Sequence, residues 1–284
     1  MPLRIFNNLN SIVAQNRLTE NNNNLGNVIG RITSGERLSG NNNNAADKAI
    51  SELIYSDART LRQSARNIND GISLVNIAEG GLKEQSEILI RLREITTLAS
   101  GTLRQNERDT LQLEIDELRS EFNRISEATK FNGIKILGGT LAASVTNNEQ
   151  LIVASGLSSD AEGQINLNTA LNIESVDTTT LGLDVVSAAT AEGTSNGLAS
   201  IKSSFNKIKL YRASLGATQS QLSRALNNLN VSIENLTAAA TTIKDANIAE
   251  EVTNLTKQQL LVQSSAAMVG QANLIPEGVL LLLQ

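Results

Sequence analysis

The 284-residue chain contains no cysteine, no histidine and no tryptophan, and only two prolines, Pro2 and Pro276. Without cysteine there are no disulfides and no thiolate chemistry, and the redox state of the compartment leaves no mark on the sequence. Without histidine the usual general base at neutral pH and the commonest transition-metal ligand are both missing. Aromatic residues make up 2% of the chain, too few for the buried area on which compact cores lean. The most apolar run, Val279 to Leu283, is five residues long, whereas a bilayer span needs about 20. Its nearest cation is Lys257, so the basic flank of an amphipathic surface anchor is absent too. The formal net charge of −5 speaks against nucleic acid as the main partner. The start, "MPLRIFNNLNSIVAQNRL", lacks the apolar segment of a secretory signal. That leaves a protein that stays inside, or one that leaves by a route reading no such signal.

What is present suits long helices: few prolines, abundant Ala, Leu, Ile, Gln and Glu, and 19% charged residues. Leu215, Thr218, Leu222, Leu226, Leu229, Ile233, Leu236, Ala240 and Ile243 recur at steps of three or four, the spacing of a coiled-coil seam. Leu61, Ala65, Ile68, Ile72, Val75, Leu82, Leu89, Leu92 and Ile95 form a second seam over about 58–99. A third, over about 107–128, carries Leu111, Ile115, Leu118, Phe122 and Ile125. The polar stretch "SGTLRQN" between the last two would fold them antiparallel. The expected fold is mostly α, with long antiparallel helices in a coiled-coil-like rod. Gly71, Gly80 and Gly81 interrupt the second seam and either end a helix or permit close packing. From Asn132-Gly133, a tight-turn signal, the texture changes. Residues 139–199 alternate in short runs such as "QLIVAS" and "GQINLN", as expected of a small β-rich insert. Residues 1–44 have apolar spacing but are broken by "NNNN" at 21–24 and 41–44. Asn is a poor helix former, so this end needs an apolar partner to be helical. The four leucines Leu280 to Leu283 likewise call for burial against protein, each gaining about 1.5–3 kcal/mol if fully covered.

Three stretches carry a hint of chemistry, each with a plainer reading. "GIKILGGT" has the glycine spacing of a phosphate loop, but Gly139 stands where the lysine belongs; a turn in the insert suffices. Ser204 and Lys207 have the Ser-x-x-Lys spacing of a nucleophile and its base, yet sit on a helical seam with no companion motif. Glu114, Asp116, Glu117 and Glu121 crowd one helix as ordinary surface charge. No enzyme is expected, and no catalytic, cofactor or metal site.

Several long stretches resemble bacterial flagellin. "NRLTENNNNLGNVIGRITSGERLSG" and "AADKAISE" are similar to the family's N-terminal segment, and "RNINDGISLVNIAEGGLKEQSEILIRLREI" with "FNRISEATKFNGIKIL" to the first half of its rod domain. "LGATQSQLSRALNNLNVSIENLTAAATTIKDANIAEE" and "AAMVGQANLIPEGVLLLLQ" resemble its C-terminal signature. The chain departs from the family at the junction before Ala45-Ala46, where Asn42, Asn43 and Asn44 replace Lys-Asp-Asp, and at Asp47-Lys48, where Gly-Leu is common.

The resemblance implies a structural subunit, exported unfolded, that polymerises into the flagellar filament. Residues 1–44 and 249–284 would be filament-core segments, with packing by Ile5, Leu9, Ile12, Leu18, Leu274, Ile275, Val279 and Leu280 to Leu283. Residues 45–138 and 200–248 would form the two halves of the rod domain, and 139–199 a β-hairpin and surface insert too short for large outer domains. In the free subunit both ends would be disordered, and polymerisation would order them. Implied partners are other copies of the chain, the export apparatus and its flagellin chaperone, and the filament cap and hook-junction proteins. Nucleic acid and membrane insertion are not among them. The flagellin-sensing Toll-like receptor reads a rod stretch whose counterpart here is "IRLREITTL". Arg91, Arg93 and Glu94 match it, Ile90, Ile95, Thr96 and Thr97 differ, and Glu114 matches a second contact. The expected location is the extracellular filament, bare or sheathed. The insert's Ser and Thr, including "DTTT" at 177–180, offer hydroxyls for O-glycosylation. The rivals are a hook–filament junction protein and a secreted coiled-coil adhesin or translocator. The ending "QANLIPEGVLLLLQ" resembles flagellin rather than the junction family.

Overall fold

A computed structural model describes residues 8–39, 45–146, 150–157 and 163–282, with the backbone alone at 191 and 275–282. The helices are α1 (Leu9–Ser34), α2 (Ala45–Ala99), α3 (Gln105–Ala128), the short α4 (Leu167–Leu171), α5 (Ala191–Lys244) and α6 (Ile248–Leu282). Among the described residues between α3 and α5 lie six short strands: β1 (Lys130–Phe131), β2 (Ile134–Lys135), β3 (Gly138–Leu141), β4 (Ile152–Ala154), β5 (Gln164–Asn166) and β6 (Ile173–Ser175). The chain divides into two compact units, residues 57–234 and residues 1–56 with 235–284. Helices α2 and α5 contribute to both.

In the 57–234 unit the expected seams are the buried ones: Ile68, Leu82, Leu89 and Leu92 of α2, Ile115 and Phe122 of α3, and Ile201, Ile208 and Leu222 of α5 are 0–1% exposed. Pairing along α2 and α3 runs in opposite directions, from Arg91–Glu114 at 2.7 Å to the Gln85 amide on the Phe122 carbonyl at 3.2 Å. The five-residue turn 100–104 closes them, and the Glu107 carboxylate accepts the Arg104 N–H at 2.9 Å to cap the new helix. Helix α5 is antiparallel to α2 as well: Gln219 meets Asn76 at 2.9 Å and Arg212 meets Glu79 at 2.7 Å. The glycines of α2 lie inside the helix and differ in purpose. A Cβ on Gly81 would stand 2.8 Å from Thr129 Oγ1 and 2.9 Å from Leu137 Cδ1, whereas Gly80 has nothing within 4 Å. Gly81 admits the hairpin; Gly80 serves no close packing among the described residues.

That hairpin is β1–β2, turned at Asn132 (φ 49°) and Gly133 (φ 82°), two left-handed residues as a tight two-residue turn requires. Strand β3 pairs with β6 and β4 with β5, all antiparallel. The fully buried Asn168 ties them together: its amide donates to the Thr140 and Ala142 carbonyls at 2.7 and 3.0 Å, and its carbonyl oxygen accepts the Leu151 N–H at 2.8 Å. The alternation expected as far as residue 199 gives way earlier, because helix α5 begins at Ala191. The phosphate-loop reading fails on geometry. Gly139 lies in a strand against Ser175 and opens no helix.

Candidate functional site: the terminal helix pair

In the other unit α1 and α6 run antiparallel and pack through a seam with the three-four spacing of a coiled coil. On α1 the covered positions are Ser11, Ala14, Leu18, Asn21, Leu25, Val28 and Ile32; on α6 they are Glu251, Leu255, Gln258, Val262, Ser265, Val269 and Ala272. The "NNNN" at 21–24 does not break α1, which is continuous from Leu9 to Ser34. Only Asn21 of the four faces the seam, where its amide donates to Ser265 Oγ at 2.7 Å; Asn22, Asn23 and Asn24 are exposed. Local propensity is overridden by a partner helix within reach. The second run, 41–44, lies outside the described residues.

Polar contacts fasten both ends of the pair. At one end Arg31 forms a two-pronged pair with Glu251, Nε···Oε1 2.8 Å and Nη2···Oε2 3.0 Å, the side chains 18% and 11% exposed. Beyond it Gly35 (φ 71°) ends α1 in the left-handed conformation that suits glycine. Its carbonyl accepts the Ala246 N–H at 2.9 Å, and the Arg37 N–H donates to the Lys244 carbonyl at 2.7 Å. Lys244 also pairs with Glu36 at 2.9 Å, which raises its pKa, and its Nζ lies 6.0 Å from the Tyr55 ring centre. At the other end Asn8 donates to the Ala272 carbonyl and Ser11 to Asn273. Sequence reading missed this polar set. The available signal was Asn21 falling in register with Leu18 and Leu25 on the seam.

Away from the seam the pair is apolar and open. Leu9, Val13, Leu260, Met268 and Leu274 are 52–67% exposed. A groove of about 640 Å³ runs between the helices, lined by Leu9, Val13, Ala14, Leu261, Met268 and Ala272 among others. Of the residues expected to pack the core, Leu9, Ile12 and Leu274 lie on the open face and Leu18 on the seam. Ile275, Val279, Leu280, Leu281 and Leu282 continue α6, and their side chains lie outside the description, as do Ile5 and Leu283 altogether.

The four residues that the family resemblance offers as receptor contacts, Arg91, Glu94, Ile95 and Glu114, divide. Arg91, Glu94 and Glu114 form a surface cluster, with Arg91 53% exposed and pairing to Glu114 at 2.7 Å and Glu94 at 3.2 Å. Glu114 first, then Glu94, raises the Arg91 pKa through hydrogen bonds to the guanidinium. Ile95 is 2% exposed and belongs to the core beneath them, because it occupies a seam position of α2. Ser204 is fully buried and its hydroxyl is held by the Leu181 and Ser200 carbonyls, at 2.9 and 2.8 Å. Among the described residues no group of three or more carboxylates could hold a metal, and no helix is long and apolar enough to cross a membrane.

The model of the bacterial flagellin N-terminal helical region matches residues 5–142, and that of the bacterial flagellin C-terminal helical region matches 198–283. The flagellin of Bacillus subtilis strain 168 is 35% identical, over 99% of this chain and 100% of that protein. The flagellar filament 30.7 kDa core protein of Treponema maltophilum is 32% identical, over 98% of this chain and 99% of that one. A crystal structure of Bacillus cereus flagellin overlaps 58% of this chain and 88% of its own at 26% identity, with a TM-score of 0.47. With both helical regions matched in order along almost its whole length, the chain belongs to the bacterial flagellin family.

Proposed function

We infer that the protein is a structural subunit of the bacterial flagellar filament and that α1 and α6 pack against the same helices of neighbouring subunits. The observation that carries this is the open apolar face of the pair, Leu9, Ile12, Val13, Leu260, Met268 and Leu274. Covering a half-exposed side chain of this size gains about 1 kcal/mol. Six such residues therefore supply about 6 kcal/mol, while association costs about 4–15 kcal/mol. The gain is of the order of the cost, so the face is suited to association, and membership of the flagellin family favours a polymer over a dimer. In this reading residues 1–44 and 249–284 are the core segments, 45–138 and 200–248 the rod halves, and 139–199 the outward insert. The subunit works outside the cell, within the bare or sheathed filament, and performs no catalysis. Export apparatus, flagellin chaperone, cap and junction proteins would handle it on the way, and Arg91, Glu94 and Glu114 offer the Toll-like receptor a charged patch.

Electron microscopy of the full-length protein seeded with short filament fragments, beside a chain lacking 275–284, tests this. Filaments from the full chain alone are expected. Two soluble, folded proteins that never assemble would overturn the reading and raise the junction or capping role.

A further inference from the structure

Pro276 lies within α6. Proline has no backbone N–H, so the carbonyl four residues earlier, that of Ala272, has no donor from its own helix. That carbonyl instead accepts the side-chain amide of Asn8 at 2.7 Å. Asn8 is also the N-cap of α1, its Oδ1 accepting the Ser11 N–H at 3.1 Å. One side chain thus closes the first turn of α1 with its carbonyl oxygen and meets the vacant carbonyl of α6 with its amide. Beside it Ser11 Oγ donates to Asn273 Oδ1 at 2.6 Å, and Ser11 and Ala272 are each 7% exposed.

We propose that Asn8 and Pro276 form a register latch: the proline withholds a donor, the asparagine supplies it, and one axial position of the terminal helices is favoured over its neighbours. Neighbouring carbonyls in the interior of α6 each already hold their own helical N–H. A slip of one turn, about 5.4 Å, leaves the Ala272 carbonyl unmet in a covered position, while the Asn8 amide can only share a carbonyl that already holds its helical N–H, as Thr253 and Thr256 share those of Ala249 and Val252. At this end the seam is built from the small residues Ser11, Ala14, Ser265 and Ala272, which interlock weakly, whereas Leu25, Val28 and the Arg31–Glu251 pair hold the other end. Asn21 on Ser265 adds a second polar check of the kind that fixes coiled-coil register. The latch deepens the filament reading, since it aligns the helices that would pack in the polymer, but its test stands apart from assembly.

The test is amide hydrogen exchange on the full-length chain and its Asn8→Ala, Pro276→Ala and doubly substituted variants, in polymer and in soluble subunit. Loss of the N-cap by Asn8→Ala occurs in both backgrounds and cancels in the comparison. Asn8→Ala is expected to speed exchange in the first turns of α1 about tenfold more in the native background than with Pro276→Ala, where the restored N–H already occupies the Ala272 carbonyl. Equal acceleration in both backgrounds, or none in either, overturns the latch. Failure of the native chain itself to polymerise refutes the filament reading instead, and exchange in the soluble subunit, whose ends would then be folded on their own, decides the latch.

Discussion

Breaking the Arg31–Glu251 pair probes the terminal helices most directly. The guanidinium meets the carboxylate through two charge-assisted bonds of 2.8 and 3.0 Å, and the side chains are only 18% and 11% exposed. Removing one partner of a fully buried pair costs about 3–5 kcal/mol, and of an exposed one under about 1 kcal/mol. With slight water access, Arg31→Met is expected to cost about 2–4 kcal/mol. At 1.4 kcal/mol per tenfold, that raises the concentration needed for polymerisation about 30-fold or more. Sedimentation of polymer across a concentration series reads this quantity. Adding Glu251→Leu to Arg31→Met should recover most of the loss, because two apolar side chains then share a seam position without an orphaned charge. The effect should persist at high salt, since buried pairs are weakly screened. A single variant within twofold of the native chain, or a defect abolished by salt, would refute a structural role for the pair.

Gly81→Ala forces a Cβ against Thr129 and Leu137 and should destabilise by about 1 kcal/mol net of its better helix propensity. Gly80→Ala meets open space and should stabilise by about 0.5–1 kcal/mol; urea denaturation of both variants gives the two signs side by side. Burial pushes the Asp177 carboxyl up, but the Thr180 N–H and hydroxyl, the Ser175 hydroxyl and the Thr179 N–H outweigh it and hold the pKa below the ordinary value. A depressed folded-state pKa contributes stability above the unfolded value, lost as pH falls below about 4 toward the lower folded pKa. Asp177→Asn should therefore lower stability at neutral pH and flatten the acid limb of a melting-temperature profile. Arg91→Ala removes the planar fork from the exposed Glu94–Glu114 cluster and should abolish signalling in cells bearing the flagellin-sensing receptor; undiminished signalling ends that proposal. Of α1 only Ser11 and Val28 are buried within the chain, so the free subunit should exchange its α1 amides rapidly and the polymer slowly. Protection in the free subunit would show that the ends fold before assembly.

The seam from Leu215 to Ile243, the turn at 100–104 and the left-handed pair Asn132-Gly133 were legible in the sequence because each is a local rule, a period or a turn chemistry. So was the family, which two distant stretches in the right order specify. The ends were legible in type but not in detail. Four consecutive asparagines read as a break, since propensity counts each residue equally, whereas in the folded chain only Asn21 meets α6 and finds Ser265 there. The purpose of neighbouring glycines was equally hidden: Gly80 and Gly81 are the same residue until a hairpin distant in sequence arrives against one of them. Ile95 carried two readings, a seam position of α2 and, by the family resemblance, a receptor contact beside Arg91 and Glu94; packing places it in the core. The sequence by itself determined the helices, the tight turn and the family, because periodicity and local backbone chemistry act over a few residues. Only the tertiary structure decided which polar side chains fasten the terminal helices, because Asn8 and Ala272, or Arg31 and Glu251, become neighbours only once the whole chain between them has folded back.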